Sequence, residues 1–280
     1  MKKIVAFIFV LFVISCKHKH NTEADLGPKI HAEWVGNWVG DFVAKEYKEN
    51  TNFSYINKIN IRMINISTDN EVVAQSIVAG HKRKLTGSFN PSNNSFILKE
   101  PRTDKYDGIF EFSIANDTIK GDWKAIDTSL PVTRRDFVLT KVVFVYNKNL
   151  MLPDVEDYVD YNNGLKKSAK DEDGQTYTET YYRQATDIIL KLNASTTLLK
   201  EEDLKNLKKL DLEIIRNTIF ARHGYTFKKK TIRQFFDPVD WYVPMYDDVK
   251  DKLTDIELKN IAVLSRFEKY AEDNYDTFGR

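Results

Sequence analysis

Arg222 and His223 stand side by side in the stretch NTIFARHGYTF, directly before Gly224. A guanidinium beside an imidazole supplies several hydrogen-bond donors, a permanent positive charge and a titratable nitrogen. Polar and aromatic residues nearby complete a candidate site for binding a sugar or a peptide in a groove. The candidate binding or structural residues are Arg216, Asn217, Arg222, His223, Tyr225, Trp241 and Tyr242.

The same stretch is also explained as the end of a helix. Asp211 is a suitable N-cap, and apolar residues follow it on one helical face at Leu212, Ile215 and Ile219. Arg222 and His223 fall in the last turn, where the helix dipole favours a basic side chain by about 0.3–1 kcal/mol. Gly224 then adopts the left-handed conformation that ends a helix without a side-chain clash. This structural interpretation is favoured over a binding groove.

Two further elements accompany this helix. The stretch IRQFFDPVDWYVPMY contains two prolines that prevent a long helix, so it predicts an aromatic loop that packs on a neighbour. Thr254 and Glu257 have the spacing of a capping box and open a second helix. In the structural interpretation, Arg216 and Asn217 bond to the loop backbone and hold the aromatic loop on the first helix.

The C-terminal quarter resembles the YARHG domain, a small bacterial domain that is named for its central motif. The similarity runs from about Leu198 to Glu268 and includes these residues in order: Arg216, Asn217, Ala221, Arg222, His223, Gly224, Tyr225, Phe227, Trp241, Tyr242, Pro244, Glu257 and Asn260. Phe220 occupies the first motif position in place of Tyr, so any hydrogen bond made by that hydroxyl is lost. The resemblance implies a domain and an extracellular placement, and it brings no activity with it.

The chain from Trp34 to Lys141 is organised differently, as short alternating apolar and polar runs separated by polar turns. About eight such runs predict an antiparallel meander that forms a barrel or a sandwich. The alternation changes phase after Met63, which indicates a β-bulge. The interior of an eight-stranded barrel could hold an apolar ligand.

Gly36-Asn37-Trp38 resembles the Gly-x-Trp signature of lipocalin-like (calycin) barrels. In that family the Trp closes one end of the barrel, and an Arg from the last strand packs across it. Arg134 and Arg135 stand at the start of the last predicted strand and would supply this contact. The resemblance implies a lipocalin-like β domain, and a closed barrel and a sandwich both stay open.

The segment between these two parts has weaker patterns. Residues 142–146, VVFVY, predict a last strand, and TYYRQATDIILKLN has apolar residues at helical spacing, which predicts a linking helix. Acidic residues at Asp154, Glu156, Asp157 and Asp160 lack the register of an EF-hand loop, so a solvated face is preferred over a calcium site.

The first residues, MKKIVAFIFVLFVISCKHKH, have a basic start and an apolar run that is too short to span a membrane. They predict a secretory signal, and the residues before Cys16 resemble a bacterial lipoprotein cleavage box. Cys16 would then carry a diacylglyceryl group. His18 and His20 are interpreted as part of a solvated basic tail rather than as metal ligands, since metal sites need three or four ordered ligands.

Cys16 is also the single cysteine of the chain, so the protein has no intrachain disulfide. A net charge of +1 gives no indication of nucleic-acid binding. The predicted fold class is a multidomain α+β protein: an antiparallel β-barrel or sandwich followed by a small, mostly helical domain. The predicted parts are a signal peptide (1–15), a lipidated tether (16–33), the β domain (34–146), a linker (147–193) and a YARHG-like domain (194–272).

We expect a lipoprotein of the bacterial cell envelope, facing the periplasm or the cell surface, with a binding or structural role and no cofactor or metal. Its expected partners are the membrane, through the lipid, and a cell-wall glycan, a peptide or an envelope protein. An enzyme is not expected, because the predicted mature domains contain only His81 and His223 and lack a Gly-x-Ser-x-Gly elbow. The alternative is an envelope hydrolase that uses paired carboxylates.

Lipidation of Cys16 gives the first testable prediction. Mass spectrometry of the protein purified from its native membrane should show the diacylglyceryl thioether on Cys16. An unmodified thiol at Cys16 in that material would contradict the predicted anchor.

Overall fold

The computed structural model of the protein describes residues 30–154 and 158–272. The predicted signal peptide, Cys16, His18, His20 and two of the acidic residues, Glu156 and Asp157, lie outside the described residues. The described part comprises a β-barrel, a two-stranded hairpin and a group of short helices.

Eight antiparallel strands form a closed barrel in which each strand pairs with the next along the chain and the last pairs with the first. The strands are β1 (Gly36–Tyr47), β2 (Ile56–Ile66), β3 (Glu71–Val78), β4 (His81–Asn90), β5 (Ser95–Lys99), β6 (Gly108–Ala115), β7 (Thr118–Ala125) and β8 (Val132–Val142). The predicted antiparallel β domain is confirmed, and of the two expected architectures, barrel or sandwich, it has the closed barrel. The pairing of β2 with β3 shifts register after Met63, where the bulge was predicted.

The predicted strand over residues 142–146 is wrong. Strand β8 ends at Val142, which pairs with Asn37 at the beginning of β1, so no neighbouring strand continues alongside the residues that follow. Val143 and Val145 are instead 83% and 71% exposed. Their apolar side chains fit the sequence pattern of a strand, but the pattern does not show where the partner strand begins.

The middle of the barrel is filled with side chains. Phe42 lies with its ring centroid 5.9–6.1 Å from the ring centroids of Phe110, Trp123 and Phe137, and these residues belong to one buried apolar cluster. The strands alternate inward and outward, so one face of each strand contributes to this cluster. Aromatic rings therefore occupy the middle of the barrel, which leaves space for a ligand only towards an end.

One end of the barrel is closed by a short 3-10 helix, Ala32–Trp34. Trp38 is fully buried below it and donates a hydrogen bond from Nε1 to the carbonyl oxygen of Trp34 at 2.9 Å. The expected arginine on Trp38 is wrong: Lys141 of β8 places Nζ 5.9 Å from the Trp38 ring centroid. The register explains the difference, because Lys141 lies directly opposite Trp38, whereas Arg135 lies opposite Ala44.

The linker contains a hairpin of β9 (Val159–Lys170) and β10 (Thr176–Gln184), followed by a 3-10 turn at Asp187–Leu190. The predicted linking helix is therefore wrong. Threonines and tyrosines dominate TYTETYYR, and such residues favour a strand once a partner strand is available. Tyr181, counted in the helical pattern, instead pairs with Leu165 of β9.

The C-terminal part is a small helical region, as predicted. Its helices are α1 (Glu201–Leu204), α2 (Lys209–Arg222), α3 (Lys230–Phe236) and α4 (Asp255–Glu268). They share a second apolar core, separate from that of the barrel, which also includes Leu152 and Ile189 from the preceding segment. The capping box is confirmed: Thr254 Oγ1 accepts from the Glu257 backbone N at 3.3 Å, and a Glu257 oxygen accepts from the Thr254 backbone N at 2.9 Å.

Helix α2 ends as the sequence predicts but begins earlier. Gly224 has φ of 73°, and the backbone N–H groups of Gly224 and Tyr225 donate to the carbonyls of Ala221 and Phe220. Asp211 is not the N-cap: it is the third residue of α2, and its carboxylate accepts from the Lys208 backbone N at 3.1 Å. The acidic group therefore still satisfies a free donor at the helix start, from inside the first turn.

The barrel and the helical region contact each other through polar groups. Asn60 Nδ2 of β2 donates to the carbonyl oxygen of Pro244 at 3.0 Å, and Arg233 Nη1 of α3 donates to Asn57 Oδ1 at 2.9 Å. Both barrel residues in these contacts belong to β2, so the helical region packs against this side of the barrel.

Replacing Gly224 by Ala should destabilise the helical region. A side chain at this positive φ costs about 1–2 kcal/mol, and the new Cβ would lie 3.1 Å from the Val243 oxygen and 3.2 Å from the Phe144 ring. Gly174→Ala is the matched control, because Gly174 also has positive φ but nothing within 4 Å. Chemical denaturation should show the larger loss for Gly224→Ala. Equal losses would contradict the crowding at Gly224.

Candidate functional site

The Arg-His pair of the central motif points into the protein. Arg222 is 2% exposed and His223 is 3% exposed. Helix α2 places both side chains towards α4 and towards the segment that leaves the barrel, where they join a network of buried polar groups. The candidate site residues therefore lie in two places: this buried network and an open groove on another face of α2.

The buried carboxylate of Glu257 is the centre of the network. Its Oε1 accepts from Ser195 Oγ at 2.6 Å and from the Tyr146 hydroxyl at 3.0 Å, and its Oε2 lies 2.8 Å from His223 Nε2. Burial disfavours the charged carboxylate, but the hydrogen bonds from His223, Ser195 and the Thr254 backbone outweigh it and lower the pKa of Glu257 to about 2. The carboxylate is thus ionised and fully hydrogen-bonded.

Arg222 binds the segment that connects the barrel to the helical region. Its Nε donates to the carbonyl oxygen of Leu150 at 2.7 Å, and its Nη1 donates to Ser195 Oγ at 2.9 Å. Burial lowers the pKa of Arg222 to about 10, although the nearby Glu257 carboxylate opposes this shift. Trp241 Nε1 donates to the next carbonyl oxygen, that of Met151, at 2.7 Å. These two side chains fasten residues 150–151 to the helices.

His223 completes the attachment of the same segment. The ring of Tyr146 stacks on the His223 ring with centroids 4.2 Å apart and an interplanar angle of 13°. The Tyr146 hydroxyl then bonds to Glu257, so the tyrosine contacts both members of the hydrogen-bonded His223–Glu257 pair. The role that this geometry supports for Arg222 and His223 is structural.

Ser195, His223 and Glu257 are the residue types of a hydrolase triad, but their arrangement differs from one. In a triad the histidine bonds to the serine hydroxyl with one nitrogen and to the carboxylate with the other. Here the serine hydroxyl and His223 Nε2 both bond to the carboxylate, which lies between them. All three residues are buried. This arrangement orders a core and does not activate a nucleophile.

The open groove lies along a different face of α2. Arg216, Asn217, Phe220 and Tyr225 form one side, and the volume of the groove is about 800 Å³. The opposite side comes from three other places: Lys228 and Lys229 after the motif, Thr231 and Ile232 of α3, and Asp247, Asp248 and Lys250. Arg216 forms an ion pair with Glu268 of α4 at the edge of this groove.

The structure therefore divides the predicted site residues. It places Arg216, Asn217 and Tyr225 in the groove and the other four in structural positions: Arg222, His223, Trp241 and Tyr242. Tyr242 is buried, and its hydroxyl donates to the Tyr225 carbonyl oxygen at 2.8 Å. The seven side chains therefore do not line one shared cavity.

The predicted bonds from Arg216 and Asn217 to the aromatic loop are wrong. Arg216 pairs with Glu268 of α4, and Asn217 Nδ2 donates to the Glu213 carbonyl oxygen of its own helix at 2.7 Å. The loop is held instead by Trp241 and Tyr242. Helix α4 and the preceding turn of α2 supplied nearer partners than the loop.

Sequence reasoning missed several groove residues. Glu213 and Phe220 lie on the same helical face as Arg216 and Asn217, at intervals of three and four residues, so helical spacing could have found them. The lysines and aspartates of the opposite side are in loops, and no periodic pattern connects them with α2. Ser195 and Tyr146, which bond to Glu257, also lie outside any motif.

The described residues form neither a metal-binding cluster nor a membrane-spanning helix. Within residues 30–154 and 158–272, no group of three or more His, Cys, Asp or Glu side chains is arranged to hold a metal ion. Among the helices that the structure describes, none has the length and apolar character needed to cross a membrane.

The C-terminal part is thus a small domain in which two helices and an aromatic loop are tied together by buried hydrogen bonds. Residues 186–269 match the family model of the YARHG domain. The chain therefore carries a YARHG domain after its eight-stranded barrel. The match begins at residue 186, ahead of the expected boundary at 194. A comparison with curated proteins found no match.

The lowered pKa of Glu257 gives a prediction about stability and pH. A carboxyl group whose pKa is lower in the folded than in the unfolded state stabilises the protein at pH values above its ordinary pKa of 4.5. This stabilisation is lost as the pH falls towards the folded-state pKa of about 2. Glu257→Gln should therefore lower the free energy of unfolding by about 3 kcal/mol at neutral pH, at about 1.4 kcal/mol per pKa unit. Urea denaturation should show that this difference shrinks between about pH 4.5 and pH 2.

Glu201→Gln is the control, because Glu201 forms an exposed ion pair with Arg266. It should change the stability by under about 1 kcal/mol at every pH. A difference in unfolding free energy between wild type and Glu257→Gln that stays constant as the pH falls would contradict this prediction. It would show that the neighbours of Glu257 do not lower its pKa.

Proposed function

We propose that the protein is a lipid-anchored binding protein of the bacterial cell envelope and that the groove of its YARHG domain holds a cell-wall glycan. The observation that carries this proposal is the groove itself, which combines half-buried aromatic rings with polar groups on both sides. Cys16 and the tether, taken from the sequence, supply the anchor.

The aromatic part of the groove suits the apolar face of a sugar ring. The rings of Phe220 and Tyr225 have centroids 5.9 Å apart, and both side chains are only partly buried. Phe227 lies edge-on to Tyr225 at 5.2 Å and supports it from below. Rings that are fixed by neighbours bind a flat ligand with little loss of conformational entropy.

The charges of the groove largely compensate each other. Arg216 pairs with Glu268, and Arg183 lies 3.1 Å from the Glu213 carboxylate. Asp247 lies 3.2 Å from Lys82 of the barrel. A groove with paired charges favours an uncharged polar polymer over a strongly charged one, which supports a glycan and argues against nucleic acid. The groove carboxylates named here are held in ion pairs, which supports a non-catalytic role.

Tyr225→Ala tests the groove in the full chain. We expect this variant to bind purified peptidoglycan sacculi about fivefold more weakly than the wild type, because loss of an aromatic contact costs about 1 kcal/mol. Co-sedimentation of the detergent-solubilised protein with sacculi measures the difference. Sacculi stripped of their peptides separate glycan recognition from peptide recognition.

Tyr177→Ala is the matched control, since Tyr177 is partly exposed in β10 and does not line the groove. Thermal melting should show that both variants are folded. Equal binding by wild type, Tyr225→Ala and Tyr177→Ala would remove the groove from the proposal. Binding that disappears with the peptides would replace the glycan by a peptide ligand.

A further inference from the structure

The end of the barrel opposite the 3-10 helix is open. The connections between β1 and β2, β3 and β4, β5 and β6, and β7 and β8 surround it, and a pocket of about 440 Å³ lies between them. We call this space the mouth pocket. Since aromatic side chains fill the middle of the barrel, the pocket is confined to this end.

Arg135 is the charged residue of β8 that lines the mouth pocket. Its side chain projects inward, the residue is only 8% exposed, and the guanidinium carbon lies 5.2 Å from the Phe42 ring centroid. Nη1 donates to the carbonyl oxygens of Phe42 at 2.9 Å and Tyr55 at 3.2 Å, and Nη2 donates to that of Ser54 at 2.8 Å. The backbone therefore fixes the position of the guanidinium at the pocket wall.

These bonds leave part of the Arg135 guanidinium unused. Within the part of the chain that the structure describes, Nε–H and one hydrogen of Nη2 have no acceptor, and no carboxylate forms an ion pair with Arg135. Burial and the positive charge of Arg233 lower the pKa of Arg135 to about 10. A buried cation without a counter-ion is costly, and a bound anion would remove that cost.

The charged groups on the other side of the mouth pocket already have partners. Arg83 Nε donates to Asp107 Oδ1 at 3.0 Å and lies 3.8 Å from Glu100. Glu100 also accepts from the Gly108 backbone N at 2.6 Å and from Trp123 Nε1 at 3.2 Å. Asp104 is 3.6 Å from Arg83. The cation that lacks an anion is thus on the β8 wall.

The rest of the wall is largely aromatic and apolar. The aromatic residues that line the mouth pocket are Phe42, Phe53, Tyr106, Phe110 and Trp123. Flat rings and a guanidinium edge together match a ligand that has an aromatic body and one acidic group.

We propose that the mouth pocket binds a small organic anion with an aromatic body, and that Arg135 receives its acidic group. A carboxylate, sulfonate or phosphate would accept hydrogen bonds from Nε and Nη2 of Arg135, while the aromatic body lies against Phe110 and Trp123. This site lies in the barrel and is separate from the groove of the YARHG domain, so either proposal can fail alone.

Two fluorescent probes with the same ring system test the proposal on the full chain: 1-anilinonaphthalene-8-sulfonate, which carries the anion, and N-phenyl-1-naphthylamine, which does not. The wild type should bind the sulfonate with one site and at least tenfold more tightly than the uncharged probe. Arg135→Gln keeps an amide donor for the backbone carbonyls but removes the charge. It should abolish the preference for the sulfonate.

Arg134→Gln is the matched control. Arg134 is the adjacent residue on β8 and lies in ion-pairing distance of Asp122 and Asp136 on the outside of the barrel. This variant should keep the tenfold preference. Val78→Trp, which adds a large ring at the pocket wall, should weaken the binding of both probes by a similar factor.

Three results would overturn the proposal. The first is equal affinity of the wild type for both probes, and the second is an unchanged preference for the sulfonate in folded Arg135→Gln. The third is a loss of this preference in Arg134→Gln as large as that in Arg135→Gln. Thermal melting of each variant shows whether it is folded. Arg135→Lys gives a second test should the Gln variant not fold, because a lysine keeps the charge but not the two-pronged donor edge. It should retain a preference of less than tenfold, and an unchanged or absent preference would count against the proposal.

Discussion

The buried carboxylate of Glu257 holds the C-terminal half of the described structure together. It is an acceptor for α2 through His223, for the start of α4 through its own capping box, and for the segment before the helices through Ser195 and Tyr146. A buried charge is tolerated only when it is fully paired and hydrogen-bonded. One side chain therefore links the position of α2, the start of α4 and the path of the segment before the helices, in a domain that contains no disulfide.

This link explains the central motif of the domain. Arg222, His223 and Gly224 appear at first as a reactive pair next to a flexible residue, yet the arginine and histidine reach buried partners and the glycine ends the helix. The exposed chemistry of α2 lies instead at Arg216, Asn217 and Phe220, on another face of the same helix. The motif positions the aromatic residue Tyr225 at the groove, while the residues that give the motif its name serve the packing.

Much of the architecture could be predicted from local patterns. Alternation predicted the barrel strands, and the spacing of Thr254 and Glu257 predicted the start of α4. Most of the errors concern partners that are distant in the sequence. Val143 and Val145 lack a neighbouring strand, TYTETYYR gains one in β9, and Arg216 finds Glu268 fifty-two residues away. A single sequence shows which groups need partners, but the folded chain decides which partners they meet.

The closed end of the barrel gives the molecule a direction. The chain enters at Ile30 and passes through the 3-10 helix beside Trp38, and the mouth pocket opens at the other end of the same strands. The residues that precede Ile30 in the chain therefore join the barrel at its sealed end. The mouth pocket lies at the far end from this junction, so dissolved molecules can diffuse into it without passing the N-terminal segment.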